Sequence, residues 1–275
     1  MNLPKRLVVK FGTQNLFNGL RSLNSDIFYD YAKQIHKLMG LGTEVIIVSS
    51  GAIQAGREIA IRNGIVQGNL LKKELAALGT AKLIHLWEDA FNKIPGGRAL
   101  QYGGQAIAQI LVTYANWESD KERESIQSSI LSFIACGVIP IINENDVVSQ
   151  REIRSMEKGI SENDRLTRMI ALLIKADAVL FLTDVNGIFT GSPKPGSTVF
   201  RYAEVKAGAG AKELGISAEI SDSNGGMIAK IKEASQCVIE GGMRVAIAGN
   251  QENVICRFAA GEPVGTLIGD KTRLE

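Results

Sequence analysis

Residues 138–146 read Val-Ile-Pro-Ile-Ile-Asn-Glu-Asn-Asp, an apolar run that changes abruptly into a cluster of amides and carboxylates. The apolar half predicts a buried strand, because strands covered on both faces are continuously hydrophobic. The polar half would then emerge at the carboxyl end of that strand, where open α/β sheets bind their ligands. Taken alone, the polar half equally suits an ordinary turn, so its interpretation as a site depends on the rest of the chain.

Apolar runs of strand length alternate with helical patterns along the whole chain. The predicted strands cover residues 7–11, 45–48, 107–113, 138–142, 179–182 and 244–248. The predicted helices cover residues 25–39, 54–63, 69–92, 120–136, 163–175 and 225–240. This alternation predicts an α/β fold, a three-layer αβα sandwich with a central, mainly parallel sheet. Residues 188–223, rich in proline and glycine, are the most loop-like; we interpret them as a lid or binding loop, with a plain connector as the alternative.

The bulk composition excludes several classes of protein. Of the 275 residues, 45% are hydrophobic and 22% charged, as in a folded globular protein. The 31 basic and 29 acidic residues are spread along the chain, so no nucleic-acid partner is expected. No apolar run approaches the roughly 20 residues of a membrane-spanning helix, and no signal peptide is recognisable. We therefore expect a cytoplasmic protein that does not bind a membrane.

Cysteine and histidine usage argues against metal or hydrolase chemistry. Cys136, Cys237 and Cys256 lie in apolar surroundings without Cys-x-x-Cys spacing, so buried, reduced thiols are expected. The only histidines, His36 and His85, fall within predicted helices, and Gly-x-Ser-x-Gly is absent. A serine-hydrolase triad is therefore not expected, and both histidines are interpreted as structural.

Four small or glycine-containing loops follow predicted strands or open a predicted helix, as phosphate-binding loops do. Residues 10–13, Lys-Phe-Gly-Thr, couple a cation to a glycine turn, although a solvated lysine is the commoner meaning of such a string. Residues 49–52, Ser-Ser-Gly-Ala, suit either an anion site or simple helix capping. Residues 224–230, Asn-Gly-Gly-Met-Ile-Ala-Lys, open a helix with two glycines and a lysine. The fourth, residues 182–188, either caps the fold or lines a nucleotide pocket. Neither a Walker A loop nor a Rossmann Gly-x-Gly-x-x-Gly is present.

Six motifs, taken in order along the chain, resemble the amino acid kinase superfamily. They are Val9-Lys10-Phe11-Gly12-Thr13, Val48-Ser49-Ser50-Gly51-Ala52, Asn143-Glu144-Asn145-Asp146, Asn163-Asp164-Arg165-Leu166, Leu182-Thr183-Asp184 and Gly225-Gly226-Met227-Ile228-Ala229-Lys230. Ser-Ser-Gly-Ala-Ile together with Ile-Asn-Glu-Asn-Asp is similar to the glutamate 5-kinase family within it. The resemblance implies ATP-dependent phosphorylation of the side-chain carboxylate of L-glutamate, with Mg²⁺, as the first step towards proline.

The resemblance also implies a role for each polar motif residue. The implied catalytic residues are Lys10 and Lys230, which hold the ATP phosphates, and Asp164, which orients both lysines. The implied glutamate-binding residues are Ser50, Asp146 and Asn163. The implied ATP-binding residues, beside the two lysines, are Gly12, Thr13, Thr183, Asp184, Gly225, Gly226 and Met227. No protein ligand to a metal is implied.

At the level of the whole protein, the resemblance implies one amino acid kinase domain over residues 1–275. Its N-terminal part would bind mainly glutamate and its C-terminal part mainly ATP. The PUA domain that many bacterial members append is not expected. Feedback inhibition by proline, a glutamyl phosphate reductase as partner and a homo-oligomer are further implications.

The chain departs from the family pattern at five positions. Ser161 and Glu162 stand where the family has Gly-Asp, Ser223 and Asn224 stand where it has the Gly-Thr of Gly-Thr-Gly-Gly-Met, and Gln14 replaces a usual serine. Serine in place of glycine restricts the backbone, and glutamate carries its carboxylate one methylene further than aspartate. Two alternatives therefore stay open: a related kinase with a different acceptor, and a non-catalytic sensor of glutamate or proline.

Overall fold

Helices and strands alternate along the part of the chain that the structure, a computed structural model, describes: residues 3–18, 22–66, 68–95, 104–148, 162–189, 202–204 and 225–269. The strands are β1 Arg6–Phe11, β2 Phe17–Asn18, β3 Ser22–Leu23, β4 Glu44–Ser49, β5 Ile107–Val112, β6 Ile139–Glu144, β7 Ala178–Leu182, β8 Tyr202–Glu204, β9 Arg244–Ala248 and β10 Thr266–Gly269. The helices are α1 Ser25–Gly40, α2 Ala52–Arg62, α3 Lys72–Asn92, α4 Asp120–Ala135, α5 Glu162–Leu173, α6 Gly225–Gly241 and α7 Val254–Ala259. Short 3₁₀ turns cover Thr13–Leu16 and Tyr114–Trp117.

Eight strands form one sheet in the order β5-β6-β4-β1-β7-β9-β10-β8. The neighbours from β5 to β9 are parallel, β10 is antiparallel to β9, and β8 is parallel to β10. The strand β1 lies between β4 and β7, so the loops that follow these three strands meet at one edge of the sheet. This edge is where ligands bind in open α/β sheets.

Helices cover both faces of the sheet. Leu7, Val9 and Phe11 of β1 pack into a core with α1, α3 and α7, whereas Val8 packs into a second core with α4, α5 and α6. Successive side chains of a strand point to opposite faces, so one apolar strand contributes to both cores. The predicted three-layer αβα sandwich with a mainly parallel sheet is confirmed.

The helix α2, which begins directly after the Ser50-Gly51 turn, packs closely on α3. A Cβ atom built on Gly56 would overlap the carbonyl oxygen of Leu75, and one built on Gly79 would overlap that of Ala52. The side chain of Trp87 on α3 lies among aromatic rings of the first core, and its indole N–H donates to Ser49 Oγ at 3.1 Å. The turn that follows β4 is therefore contacted by α3 at both of its ends, at Ser49 and at Ala52.

The observed elements match the predicted ones closely, with informative differences. The strand β6 continues through Asn143 and Glu144, which were predicted to lie beyond the strand, because both pair with β5 opposite Leu111 and Val112. The predicted helix at residues 69–92 begins only at Lys72, where Glu74 accepts a hydrogen bond from the Leu71 N–H. The hairpin β2–β3, the helix α7 and the edge strands β8 and β10 were not predicted.

The expectation for the cysteines is wrong at one position. Cys237 is buried, and burial raises the pKa of its thiol to about 12, so it is an inert core residue. Cys256 is partly buried, whereas Cys136, the residue directly after α4, is exposed. Within the described residues, no helix is long and apolar enough to cross a membrane. Most of the predicted lid at residues 188–223 lies outside the described residues.

Candidate active site

Three charged side chains meet at the carboxyl end of the central strand. Lys10 of β1 places its ammonium 2.7 Å from Oδ1 of Asp164, which lies in the first turn of α5. Lys230, on the second turn of α6, donates to Oδ1 and Oδ2 of the same carboxylate at 3.0 and 2.9 Å. The three residues are 3%, 0% and 7% exposed, in the order Lys10, Asp164 and Lys230. The structure therefore joins the three predicted catalytic residues into one buried cluster.

The cluster carries one more positive than negative charge when all three groups are ionised. Burial lowers the pKa of Lys10 to about 8; the carboxylate of Asp164 opposes this shift and the ammonium of Lys230 adds to it. Burial alone would raise the pKa of Asp164, but the two lysines outweigh it and hold that pKa at about 2. Asp164 is thus ionised at neutral pH, and the excess positive charge suits an anionic ligand such as a phosphate chain.

The loop after β1 passes very close to β7. The Gly12 N–H donates to the carbonyl oxygen of Leu182 at 3.2 Å, and a Cβ at this position would lie 3.0 Å from that oxygen. The Gly12 N–H is therefore already engaged, and what glycine supplies here is room for a close approach. Thr13 follows as a partly buried residue at the start of the 3₁₀ turn.

A second, uncharged pair lies beside the charged cluster. The side-chain amide of Asn163, next to Asp164 on α5, donates to Ser50 Oγ at 2.8 Å. Gly51 adopts φ 111°, a left-handed conformation that favours glycine, and this lets α2 begin at Ala52, two residues after Ser50. Among the described residues, the buried Oδ1 of Asn163 has no hydrogen-bond partner, which leaves an acceptor for a ligand.

Asp146 is placed at the same edge by the strand β6. It lies two residues beyond Glu144, partly buried, and β6 pairs with β4 so that Ile142 is opposite Val48. The turns that carry Asp146 and Ser50 are therefore neighbours. The structure thus brings the three predicted substrate-binding residues to one side of the charged cluster.

The predicted nucleotide residues lie on its other side. The N–H of Thr183, directly after β7, donates to the carbonyl oxygen of Ala248 at 2.9 Å, and its hydroxyl donates to Asp184 Oδ1 at 3.0 Å. Gly225, Gly226 and Met227 form the first turn of α6, where a Cβ at Gly226 would meet no other described residue within 4 Å. The N-terminus of α6 lies five residues before the buried Lys230, and a helix N-terminus beside a lysine is a suitable place for phosphate.

Sequence reasoning missed several residues that hold this site. Asn15 donates from its side chain to the carbonyl oxygen of Thr183 at 2.7 Å, and Arg168 of α5 pairs with Glu233 of α6 at 2.6 Å. The sequence indicates these residues only through their positions: Asn15 directly follows the glycine loop, and Arg168 and Glu233 lie a few residues after Asp164 and Lys230. The departures at Ser161, Ser223 and Asn224 fall outside the described residues, as does the side chain of Glu162.

The chain is similar to several known proteins. Residues 5–249 match the model of the amino acid kinase family. Glutamate 5-kinase from Burkholderia mallei is 38% identical over 98% of this chain and 68% of the relative, and glutamate 5-kinase from Dehalococcoides mccartyi is 35% identical over 96% and 68%. Carbamate kinase from Giardia lamblia bound to AMP-PNP has a TM-score of 0.65 at 14% identity, covering 97% of this chain and 98% of the neighbour. UMP kinase from Bacillus anthracis has a TM-score of 0.57 at 18% identity, covering 98% of both chains. These two structures support the fold alone.

Proposed function

Because this chain belongs to the amino acid kinase family, we propose that it is a glutamate 5-kinase, which transfers the γ-phosphoryl group of ATP to the side-chain carboxylate of L-glutamate. The product would be L-glutamyl 5-phosphate, the first intermediate towards proline. The observation that carries the proposal is the buried Lys10–Asp164–Lys230 cluster, flanked on one side by the hydrogen-bonded Ser50 and Asn163 and on the other by a glycine-rich helix start.

The proposed reaction needs no general base. The glutamate γ-carboxylate is ionised at neutral pH, so catalysis consists of alignment and of stabilising charge on the transferred group. Lys10 and Lys230 would neutralise the phosphate oxygens as charge moves towards the leaving ADP. Asp164 would hold the two ammonium groups together against their mutual repulsion, since both its oxygens are engaged by them.

The polar pair next to the cluster suits glutamate. Ser50 Oγ accepts a hydrogen bond from Asn163, so the hydroxyl hydrogen of Ser50 remains available to donate to a substrate carboxylate. The carboxylate of Asp146 and the buried Oδ1 of Asn163 would accept hydrogen bonds from the substrate ammonium. The acceptor oxygen would then face the two lysines.

ATP would lie along the other side of the cluster. The first turn of α6, at Gly225, Gly226 and Met227, would face its phosphates, Gly12 and Thr13 would line the opposite wall, and Thr183 and Asp184 would adjoin the nucleoside. Mg²⁺ is proposed to arrive bound to the ATP phosphates, as it usually is in kinases.

The same proposal extends to the protein as a whole. One domain would bind glutamate mainly through its N-terminal part and ATP mainly through its C-terminal part. Inhibition by proline, delivery of the acyl phosphate to a glutamyl phosphate reductase, a homo-oligomeric state and a cytoplasmic location belong to the proposal as family properties.

The decisive experiment measures the acyl phosphate itself. The protein is incubated with Mg²⁺, ATP and L-glutamate, and the product is trapped with hydroxylamine as a hydroxamate. Lys230→Met should abolish hydroxamate formation, whereas Lys232→Met, an exposed lysine two residues further along the same helix, should leave it unchanged. Loss of activity in both variants would contradict a specific role for Lys230.

The alternatives give different results in the same assay. Turnover of ATP with carbamate, N-acetylglutamate or aspartate, but not with glutamate, would identify a kinase of another acceptor. Thermal stabilisation by glutamate or proline without any ATP turnover would instead indicate a sensor, because a ligand that binds only the folded state stabilises it whether or not chemistry follows.

A further inference from the structure

Asn15 joins the two loops that flank the proposed nucleotide site. It lies in the 3₁₀ turn Thr13–Leu16 and is 4% exposed. Its side-chain amide donates to the carbonyl oxygen of Thr183 at 2.7 Å. The two loops follow the neighbouring parallel strands β1 and β7, in which Phe11 lies opposite Leu182, so this hydrogen bond crosses between strand ends.

The peptide groups on both sides of Thr183 are fixed as a result. The Thr183 N–H donates to Ala248 on β9 at 2.9 Å, while the Thr183 carbonyl accepts from Asn15. A trans peptide is planar, so its N–H points away from its carbonyl oxygen. The orientation of the Asp184 N–H, and with it the start of the loop that adjoins the nucleoside, is therefore determined by Asn15.

Asn15 also contacts the glycine turn at Gly12, on the phosphate side of the proposed site. The backbone N–H of Asn15 donates to the Gly12 carbonyl at 3.0 Å, and its side-chain oxygen lies 3.0 Å from the position that a Cβ of Gly12 would occupy. That position is 3.8 Å from Nζ of Lys10. A single buried amide thus contacts the glycine turn at one end and the Thr183 carbonyl at the other.

We propose that Asn15 is a positioning residue for ATP, which sets the spacing between the phosphate-side loop at Gly12 and the nucleoside-side loop at Thr183. The proposal rests on the proposed function for its ligand. The chemistry requires an uncharged donor of this length: a carboxylate has no N–H to give to a carbonyl, and an aliphatic side chain would leave the buried Thr183 oxygen without this bond.

The test compares Asn15→Asp, which keeps the shape and removes the donor, with Asn63→Asp. Asn63 makes the same type of bond, from its amide to the Ile59 carbonyl at 2.8 Å, at the exposed end of α2. Binding of Mg²⁺–AMP-PNP is measured by titration calorimetry, and KM for ATP and for glutamate by the hydroxamate assay. Asn15→Asp should raise the AMP-PNP Kd and KM for ATP about tenfold and leave KM for glutamate within about twofold. Asn63→Asp should change none of the three.

A purely structural role would give another pattern. If Asn15→Asp lowers Tm while the AMP-PNP Kd stays within about twofold of wild type, the proposal is overturned. If that variant does not fold, Asn15→Ser, whose shorter hydroxyl cannot span the gap, is subject to the same criterion. If the wild-type protein binds AMP-PNP but does not phosphorylate glutamate, the proposed acceptor is wrong, and the AMP-PNP Kd values of the Asn15 and Asn63 variants still test the role of Asn15. A wild-type protein that does not bind AMP-PNP would overturn both.

Discussion

Arg168 and Glu233 form an ion pair between α5 and α6, with Nε 2.6 Å from Oε2. Each lies about one helical turn beyond a charged residue of the buried cluster, Arg168 after Asp164 and Glu233 after Lys230. The two pairs have opposite polarity: the acid is on α5 in one and on α6 in the other. A slip of one helix by one turn would bring like charges together, so the pairs fix the register in which Lys230 reaches Asp164.

Glu233→Gln should therefore loosen the site as well as the fold. The guanidinium of Arg168 keeps Glu240 at 3.2 Å but loses its buried partner. We therefore expect the free energy of unfolding, measured in urea, to fall by about 1–2 kcal/mol and kcat to fall about fivefold. Glu240→Gln is the matched control, since it removes the other partner of the same arginine. That carboxylate is 42% exposed, and its loss should cost less than about 0.5 kcal/mol. Equal losses in the two variants would contradict a special role for Glu233.

Asp164→Asn should convert a compensated cluster into two buried ammonium groups without a counter-charge. We expect a loss of about 3–5 kcal/mol in unfolding free energy near neutral pH and no detectable hydroxamate. The folded-state pKa of Lys10, already lowered by burial, would fall further below its value in the unfolded chain. The unfolded state then binds more protons between those values, so the stability of the variant rises with pH.

Thermal unfolding measured from about pH 7 to about pH 9.5 checks this sign: the difference in Tm between wild type and Asp164→Asn should shrink as the pH increases. Asp89→Asn is a suitable control, because that carboxylate is 46% exposed and should show no such trend. A difference that grows with pH would mean that the lysines are not destabilised by the loss of Asp164.

The edge of the sheet at which the site lies could be predicted because several site residues lie at or just beyond the end of a strand that is recognisable on its own. Lys10, Ser50 and Thr183 come after or near the end of apolar runs, and parallel strands place their carboxyl ends together. The strand β6 was predicted too short, because Asn143 and Glu144 look like turn residues. Only their pairing with β5 makes them part of the strand.

The residues that hold the site in shape could not be predicted, for a physical reason. Asn15 bonds to the backbone of Thr183, 168 residues away, and a contact to a backbone atom leaves no trace in the residue type of the partner. Arg168 and Glu233 lie on helical patterns where charged residues usually face solvent. The short strands β8 and β10, of three and four residues, are too brief to show a period.

The pKa of Lys10, lowered to about 8 by burial, predicts how ATP binding depends on pH. The ammonium form binds phosphate, so affinity for AMP-PNP should be constant below about pH 7.5 and fall by up to about tenfold per pH unit above about pH 8.5. Lys10→Arg stays charged throughout this range and should show a flat profile, even if its affinity at pH 7 is lower. Calorimetric titrations across the range test this, with the exposed Lys232→Arg expected to follow wild type. A wild-type profile that is flat to about pH 10 would contradict it.

Gly79→Ala should disturb the glutamate side of the site from a distance. The new methyl group would overlap the carbonyl oxygen of Ala52, a backbone atom that cannot rotate away, so α2 must shift relative to α3. We expect a loss of about 3 kcal/mol or more in unfolding free energy. Because α2 begins directly after Ser50 and Gly51, KM for glutamate should rise about tenfold while KM for ATP changes little.

Gly40→Ala is the control, because it also replaces a helical glycine by alanine but creates no overlap with α2. Gly40 ends α1, and a Cβ there would meet no atom of the described part of the chain within 4 Å, so the variant should be as stable as wild type or more stable by about 0.5 kcal/mol. Urea unfolding and the hydroxamate assay are applied to both variants. If Gly79→Ala lost stability but kept its KM for glutamate, the packing of α2 on α3 would stabilise the fold without positioning Ser50. The position of the Ser50 turn would then have to depend on other contacts, such as the hydrogen bond from Trp87 to Ser49.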